Sequence, residues 1–283
     1  MKLLSSKLIL LSLLVYSPLS SAMLKALNTA ATGMAAQESN VNTISNNIAN
    51  INTVGFKKRR TEMESLLYET VNDPGARSSN NTVYNVGMQV GSGVKVSAIR
   101  KEFTDGSPNL TNNPFDLMVK GDGFFGVILP NQQVVYTRDG SFNVDKTGTL
   151  VTKQGYKVMP GLVFPPGTMS VNITEEGLVE AFLKNQIEPA QVGTIPVYTF
   201  VNPVGLSSAG QNFYKVTRSS GPASENVAGQ NKTGVILQGA LETSNVSIMT
   251  EMTDLIKAQR AYEMNSKVMG VADQMLQAVN NLR

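Results

Sequence analysis

Apolar residues recur at steps of three and four near both ends of the chain and at steps of two between them. From Leu27 the first run reads Leu27, Ala30, Met34, Val41, Ile44, Ile48 and Ile51, with Gln37 the one polar intruder. That spacing lays a single stripe along an α-helix. Asn and Thr fill much of the other face and are mediocre helix formers, so the segment depends on packing for its stability. Gly55 is placed to end the helix as a left-handed C′ residue, with Phe56 folding back on Ile51 in a Schellman close. The last run keeps the same rhythm without a break through Ala261, Met264, Val268, Val271, Met275, Ala278 and Leu282. Met269, Ala272, Leu276 and Val279 form a second stripe beside it. Two adjacent stripes exceed what one partner helix needs and predict a helix packed between several neighbours. Asn245 or Ser247 is placed to cap it, with Glu251 and Asp254 near the positive end of the dipole.

The middle of the chain reads differently. Residues 57 to about 80 combine a short apolar patch (Met63, Leu66, Leu67, Tyr68) with a turn-rich tract from Asn72 to Asn81, which predicts an extended arm or hinge. From Thr82 the period becomes two, as Val94, Val96 and Ala98 alternate with Lys95, Ser97 and Ile99. Turn signals then recur at Asp105-Gly106, Gly121-Asp122-Gly123, Asp139-Gly140, Lys146-Thr147-Gly148, Gln154-Gly155 and Glu176-Gly177. Strand-like runs lie between them: Leu117–Lys120, Phe124–Leu129, Val134–Tyr136, Phe142–Val144 and Val171–Ile173. The pattern predicts an antiparallel, hairpin-rich body. Ile195–Val201 is a further strand, and residues 203–234 read as loop-rich. The chain is therefore expected to be α+β, divided into a leader-like extension (1–22), an N-terminal helix (23–56), the arm (57–81), a β-rich body (82–240) and a C-terminal helix (241–283).

Residues 1–22 carry Lys2 and Lys7, an apolar run from Leu8 to Tyr16 and the small-residue pattern Ser20-Ser21-Ala22, the layout of a secretory leader. The other reading is that translation starts at Met23, where the first periodic segment opens. Lys2 and Lys7 are the only charges before Met23, so from there on 22 basic residues face 21 acidic ones, a balance of +1. Nothing in that balance demands nucleic acid as a partner. Lys57-Lys58-Arg59-Arg60, the only basic run, is expected to complement a helix dipole. The chain has no Cys and no His. Disulfides, thiolate nucleophiles, Ser-His-Asp triads and the usual zinc and iron sites are thereby excluded, while carboxylate, Lys or Ser-Lys chemistry stays open.

Two motifs mimic ligand sites. Gly121-Asp-Gly-Phe-Phe-Gly126 has dinucleotide-loop spacing, but Phe124–Leu129 reads as a strand where a nucleotide loop must open a helix, so a hairpin turn is expected. Asp139, Ser141, Asn143 and Asp145 resemble a calcium loop that lacks Gly at its sixth position (Val144) and Glu at its twelfth (Leu150), and a β-turn is expected. No cofactor, metal or catalytic residue is assigned. The methionines of the last helix (Met249, Met252, Met264, Met269, Met275) are read as core or interface packing, and Glu263 can pair with Lys267.

Three stretches resemble the rod and hook proteins of the bacterial flagellar axial structure. They are Ser45-Asn-Asn-Ile-Ala-Asn-Ile-Asn-Thr-Val-Gly-Phe-Lys57, Asn113-Pro-Phe-Asp-Leu-Met-Val-Lys-Gly-Asp-Gly-Phe-Phe125 and Gln259-Arg-Ala-Tyr-Glu-Met-Asn-Ser-Lys267. Tyr136–Phe142, Thr199–Pro203 and Leu241–Val246 add to the likeness. It implies an inner tube of paired, coiled-coil-like terminal helices with the β-rich domain outside, and a non-enzymatic subunit of the distal rod that self-assembles into a helical filament. It also implies partners: other copies, the proximal rod and hook, the periplasmic and outer-membrane bushing rings, and the export apparatus. Candidate assembly residues are Leu27, Met34, Val41, Ile44 and Ile48 on the first stripe, and Asn46, Asn47, Asn50, Asn52, Gly55 and Phe56 at its close. Towards the other end they are Gln259, Arg260, Tyr262 and Glu263, then Met264, Val268, Val271, Met275 and Leu282. The competing readings are a proximal-rod or hook subunit and, from another class, a secreted β-rich adhesion or binding module oligomerised by its helical ends.

Overall fold

The computed structural model describes residues 2–75, 77–79, 82–83, 85–184 and 188–281. Two long helices, α1 (Lys2–Ala49) and α2 (Ile248–Asn281), bracket a region of strands. The architecture is α+β, as the change of period predicts. The chain divides into two compact units, one holding α1 up to Asn46, residues 60–100 and α2 from Met249, the other holding residues 47–59 and 101–248.

In the helical unit, small residues set the spacing. Ala30 and Ala36 of α1 and Ala258 and Ala272 of α2 are buried. At Gly33 a methyl group would come within 2.7 Å of Asn265 Nδ2, so the Asn265 side chain of α2 packs directly over the α1 backbone there. Residues expected as an arm run back along α1. Thr61 donates its hydroxyl to Thr43 at 2.9 Å, and Lys25 pairs with Glu69 at 2.5 Å. From Thr43 back to Lys25 the helix rises about 27 Å. Extended chain from Thr61 to Glu69 covers about 26 Å. The two lengths match, so the strand lies lengthwise on the helix. Strand 59–65 pairs with 94–101 and strand 68–72 with 88–91. Gly93 closes the return with φ +117 at a point where a methyl would collide with the Thr32 side chain. The period-two reading of residues 94–99 holds for the strand and only partly for its faces, since Val94 and Val96 are half-buried but Ala98 is exposed.

The β unit is antiparallel in every described pairing. Its largest sheet has seven strands in the order 142–144, 150–152, 157–158, 125–128, 134–137, 213–215, 207–210. A three-stranded sheet (168–173, 178–183, 190–194) and the pairs 117–120 with 235–238, 108–110 with 240–242 and 197–199 with 224–226 complete it. Leu117, Val119, Phe125, Phe142, Leu150, Val179, Ile195 and Ile236 build the main core. A second cluster is aromatic: Phe103, Phe124, Tyr136, Tyr198, Phe200 and Tyr214 meet edge to face with centroids 5.0–5.8 Å apart. The stretch 203–234 is less irregular than expected, since it carries a 3-10 turn and strands 207–210, 213–215 and 224–226. Gly121–Gly126 is not a hairpin either. Strands 117–120 and 125–128 flank it but belong to different sheets, so the turn passes the chain from one to the other. No helix follows it, which removes the nucleotide-loop geometry.

Candidate assembly surfaces and their anchor

The segment after α1 does not close as a Schellman motif. Helix α1 stops at Ala49, six residues short of Gly55. At its end stands Asn47, 1% exposed, whose side-chain amide holds Arg59, the first residue of strand 59–65, through both its nitrogen and its oxygen. Its Nδ2 donates to Arg59 O at 2.8 Å and its Oδ1 accepts from Arg59 N at 2.9 Å. Short-range bonds from Asn50 N to Asn47 O, Ile51 N to Ile48 O and Thr53 N to Asn50 O then coil the chain out of the helix. Gly55 does adopt a left-handed φ of +67, but its N–H donates to Glu242 O at 2.9 Å instead of a helix carbonyl. A methyl there would lie 2.6 Å from Asp139 N and 2.7 Å from Arg138 C, so only glycine fits on both counts. Phe56 beside it is buried.

Past Phe56 the chain enters a knot of buried charge. Lys57 and Glu242 are fully buried and joined at 2.7 Å, with Lys57 Nζ also donating to Thr104 O at 2.7 Å. The same carboxylate oxygen, Oε1, accepts from Gly106 N at 2.9 Å. Arg138, equally buried, places Nη1 3.7 Å from Glu242 Oε2 and 3.5 Å from Asp105, and its guanidinium lies 5.1 Å from the Phe124 ring centre. Burial holds the Lys57 ammonium below its ordinary 10.5, helped by the Arg138 charge and opposed by Glu242. Burial also pushes the Tyr214 hydroxyl up to about 12. Lys58 N donates to Asn245 Oδ1 at 2.7 Å, and Asn245 Nδ2 donates to Glu102 O at 2.9 Å. The segment leaving α1 and the segment entering α2 are thus fastened together inside the β unit.

These contacts correct the reading of the basic run. No basic residue lies in the last turn of α1. Lys57 serves the knot, Lys58 pairs with Glu102 at 3.4 Å and Arg60 with Glu62 at 3.4 Å. Asn245 is committed elsewhere, which leaves Ser247 at the position before α2. Lys57, Arg138 and Glu242 each stand in a stretch that marks the family likeness, yet the sequence points to Lys57 only as part of the basic run and does not single out Arg138 or Glu242. The one local trace is in strand 240–242, where Ala240 and Glu242 face inward and Leu241 is only half-buried. Alternation read from hydrophobicity alone would put Leu241 inside.

The helices sort the other candidate residues. On α1, Ile44 is buried and Leu27, Met34, Val41 and Ile48 are half-buried, while Asn46 and Asn52 are exposed and Asn50 half-buried. On α2 the continuous stripe faces outward: Met264, Val268, Val271 and Met275 are 63%, 52%, 49% and 51% exposed. The second stripe and its small residues turn inward instead, with Ala258 and Ala272 buried and Met269 and Leu276 half-buried. Met264, Val268, Val271, Ala272 and Met275 line, with Met23 and Ala26 of α1, an apolar groove of about 420 Å³ rimmed by Lys267. Gln259, Arg260, Tyr262 and Glu263 are exposed, and among the described residues no ion pair joins Glu263 to Lys267. Leu282 lies outside the described residues.

Profiles of flagellar axial proteins match the chain in three places. Residues 27–57 match "Flagella basal body rod protein", 118–181 "Flagellar hook protein FlgE/F/G D1 domain", and 237–282 "Flagellar basal body rod FlgEFG protein C-terminal". The chain belongs to this family of flagellar basal-body rod and hook proteins. Among individual proteins it is similar to the basal-body rod protein FlgG of Borreliella burgdorferi, 46% identical over 92% of this chain and 99% of that one. FlgG of Caulobacter vibrioides is 45% identical over 92% and 100% of the two chains. FlgG of Buchnera aphidicola subsp. Schizaphis graminum is 41% identical over 89% and 96%. Among solved structures, the hook protein FlgE2 of Helicobacter pylori matches 66% of this chain and 43% of its own at 13% identity and a TM-score of 0.23, too low to bear on the fold.

Proposed function

We propose that the chain is a structural subunit of the distal rod of the bacterial flagellar basal body, polymerising into a rigid helical tube that carries torque towards the hook. One observation carries this reading: the outward stripe Met264, Val268, Val271 and Met275 on α2, left uncovered after α1 has taken the small-residue face. Half-exposed Val and Met at each position hold back roughly 1 kcal/mol of burial free energy per side chain, released when a neighbouring subunit's helix covers them. A surface that docks on a copy of itself without closing a ring produces a filament. The terminal helices from Met23 onward supply the tube wall, residues 57–81 an arm laid on that wall, and the β-rich body an outer domain. The partners are further copies along the filament, the proximal rod and hook at its ends, the bushing rings around it and the export apparatus that delivers the chain. The role is structural and uses no cofactor.

Electron microscopy of concentrated protein provides the test. Straight helical tubes are expected; discrete trimers would support the adhesion-module reading instead. Val268→Asp and Met275→Asp, each placing an unpaired charge in the wall, are expected to abolish polymerisation while leaving the circular dichroism of the β body intact. Tubes formed by both variants would show that this face of α2 is not the interface.

A further inference from the structure

The stripe that the assembly reading needs also carries exposed thioethers. With no Cys, the thioethers are the side chains a two-electron oxidant reaches first, and there are 13 methionines. Their exposure is uneven. Met118 is 1% exposed in the β core, Met169 is 72% and Met88 55% exposed, and on α2 Met249 is 77%, Met264 63% and Met275 51% exposed. Those last two border the groove already described, one at each side of Val268 and Val271.

We propose that Met264 and Met275 form a redox-sensitive modification site, at which peroxide-class oxidants convert the unassembled subunit into one that cannot polymerise. The inference rests on the assembly reading above. In the step, a sulfur lone pair attacks one peroxide oxygen, the S–O bond forms as the O–O bond breaks, and the displaced hydroxide takes the proton of the resulting hydroxysulfonium, leaving sulfoxide and water. The thioether loses two electrons and the peroxide gains them. The product sulfoxide is polar and chiral where the neighbouring helix needs an apolar contact. Burying such a group without a hydrogen-bond donor raises the critical concentration for assembly about tenfold or more. Once the filament has formed, the same sulfurs lie inside the wall and escape oxidation. Damage is thereby confined to subunits not yet incorporated.

The experiment exposes the purified full chain to graded hydrogen peroxide, maps added oxygen by peptide mass spectrometry and measures assembly by sedimentation. Sulfoxide is expected at Met88, Met169, Met249, Met264 and Met275 and not at Met118, with loss of assembly tracking Met264 and Met275 and not the other three. A Met264→Leu, Met275→Leu double variant keeps the volume and removes both sulfurs. It is expected to assemble after peroxide at the untreated rate, whereas Met169→Leu stays sensitive. Treating oxidised protein with the two stereospecific methionine sulfoxide reductases is expected to restore assembly. Oxidised wild type that assembles normally, or a double variant as sensitive as wild type, would overturn the proposal. Failure of untreated wild type to assemble overturns the subunit reading itself and this inference with it.

Discussion

Replacing Glu242 by Gln tests whether the buried knot holds the β unit together through charge or merely fills space. Gln has nearly the same volume and keeps an amide oxygen for the Gly106 N–H, so packing and one hydrogen bond survive. What disappears is the negative charge 2.7 Å from Lys57 Nζ and 3.7 Å from Arg138 Nη1. Lys57 and Arg138 are then left facing only Asp105, which is 3.5 Å from Arg138 and about a third exposed. Removing one member of a buried ion pair leaves an uncompensated charge and costs about 3–5 kcal/mol. Against a total stability of roughly 5–15 kcal/mol, that is a loss no unfolding curve would miss. The assay is equilibrium unfolding in guanidinium chloride, followed by the near-ultraviolet signal of the tyrosines clustered around Phe124. The diagnostic partner is the double variant Lys57→Met, Glu242→Gln, which leaves Arg138 balanced by Asp105 alone. If charge is the cause, the double variant recovers more than half of the loss, because the two residues are coupled. A Glu242→Gln cost under about 1 kcal/mol, or a double variant no better than the sum of the singles, would refute the reasoning.

Two glycines and two ionisable groups give further outcomes. Gly55→Ala forces a methyl into a left-handed φ and against the Arg138–Asp139 backbone, with an expected cost of roughly 2–3 kcal/mol in the same titration. Gly270→Ala, in a helix with open space around the added methyl, should instead gain about 0.5–1 kcal/mol. Stability should also depend on alkaline pH in two opposing ways. Lys57 is held below 10.5, so the unfolded chain binds more protons in the window beneath 10.5 and stability rises with pH there; Lys57→Met removes that rise. Tyr214 is held at about 12, so its contribution is complete below pH 10 and lost as pH climbs through 12; Tyr214→Phe should shrink that fall, and unchanged slopes would contradict both assignments.

How far the sequence reveals the fold depends on whether the information is local. Strands 117–120 and 142–144 are legible to the residue because each is a short strand-like run pinned between turn signals. The closing helix is equally plain from its period. Periodicity establishes that residues share a face, however, and not which neighbour covers it. Two stripes on α2 are visible in the sequence, yet only Gly33 and the alanines reveal that α1 takes the second. The sequence places the turn after α1 too late because glycine is the stronger stop signal. In the structure the helix ends earlier, where short-range bonds from Asn50 N to Asn47 O and Ile51 N to Ile48 O take over and the Asn47 side chain holds Arg59. The knot is the least legible part of all. Lys57 and Glu242 are 185 positions apart, and neither carries a local sign that the other exists.

That separation bears on why a charge knot stands here at all. Closing a loop between Lys57 and Glu242 costs about 5 kcal/mol in chain entropy before any strand between them helps. An apolar patch at the same place would be as stabilising or more so. It would also tolerate the two segments sliding past each other, since apolar contacts have no direction. Lys57 has fixed partners in Thr104 O and Glu242 Oε1, Glu242 has Gly106 N, and Gly55 N adds Glu242 O. A slip of one residue would bury Lys57 and Arg138 without partners, at a penalty several times that of a lost methyl group. On this hypothesis the knot specifies a single register between the root of α1 and the root of α2. A filament subunit needs that more than it needs extra stability, because an error in register would be repeated at every lattice step. The double-variant experiment bears on it directly: a Lys57→Met, Glu242→Gln chain that folds stably but assembles into tubes of variable pitch would support the register role, and uniform tubes would count against it.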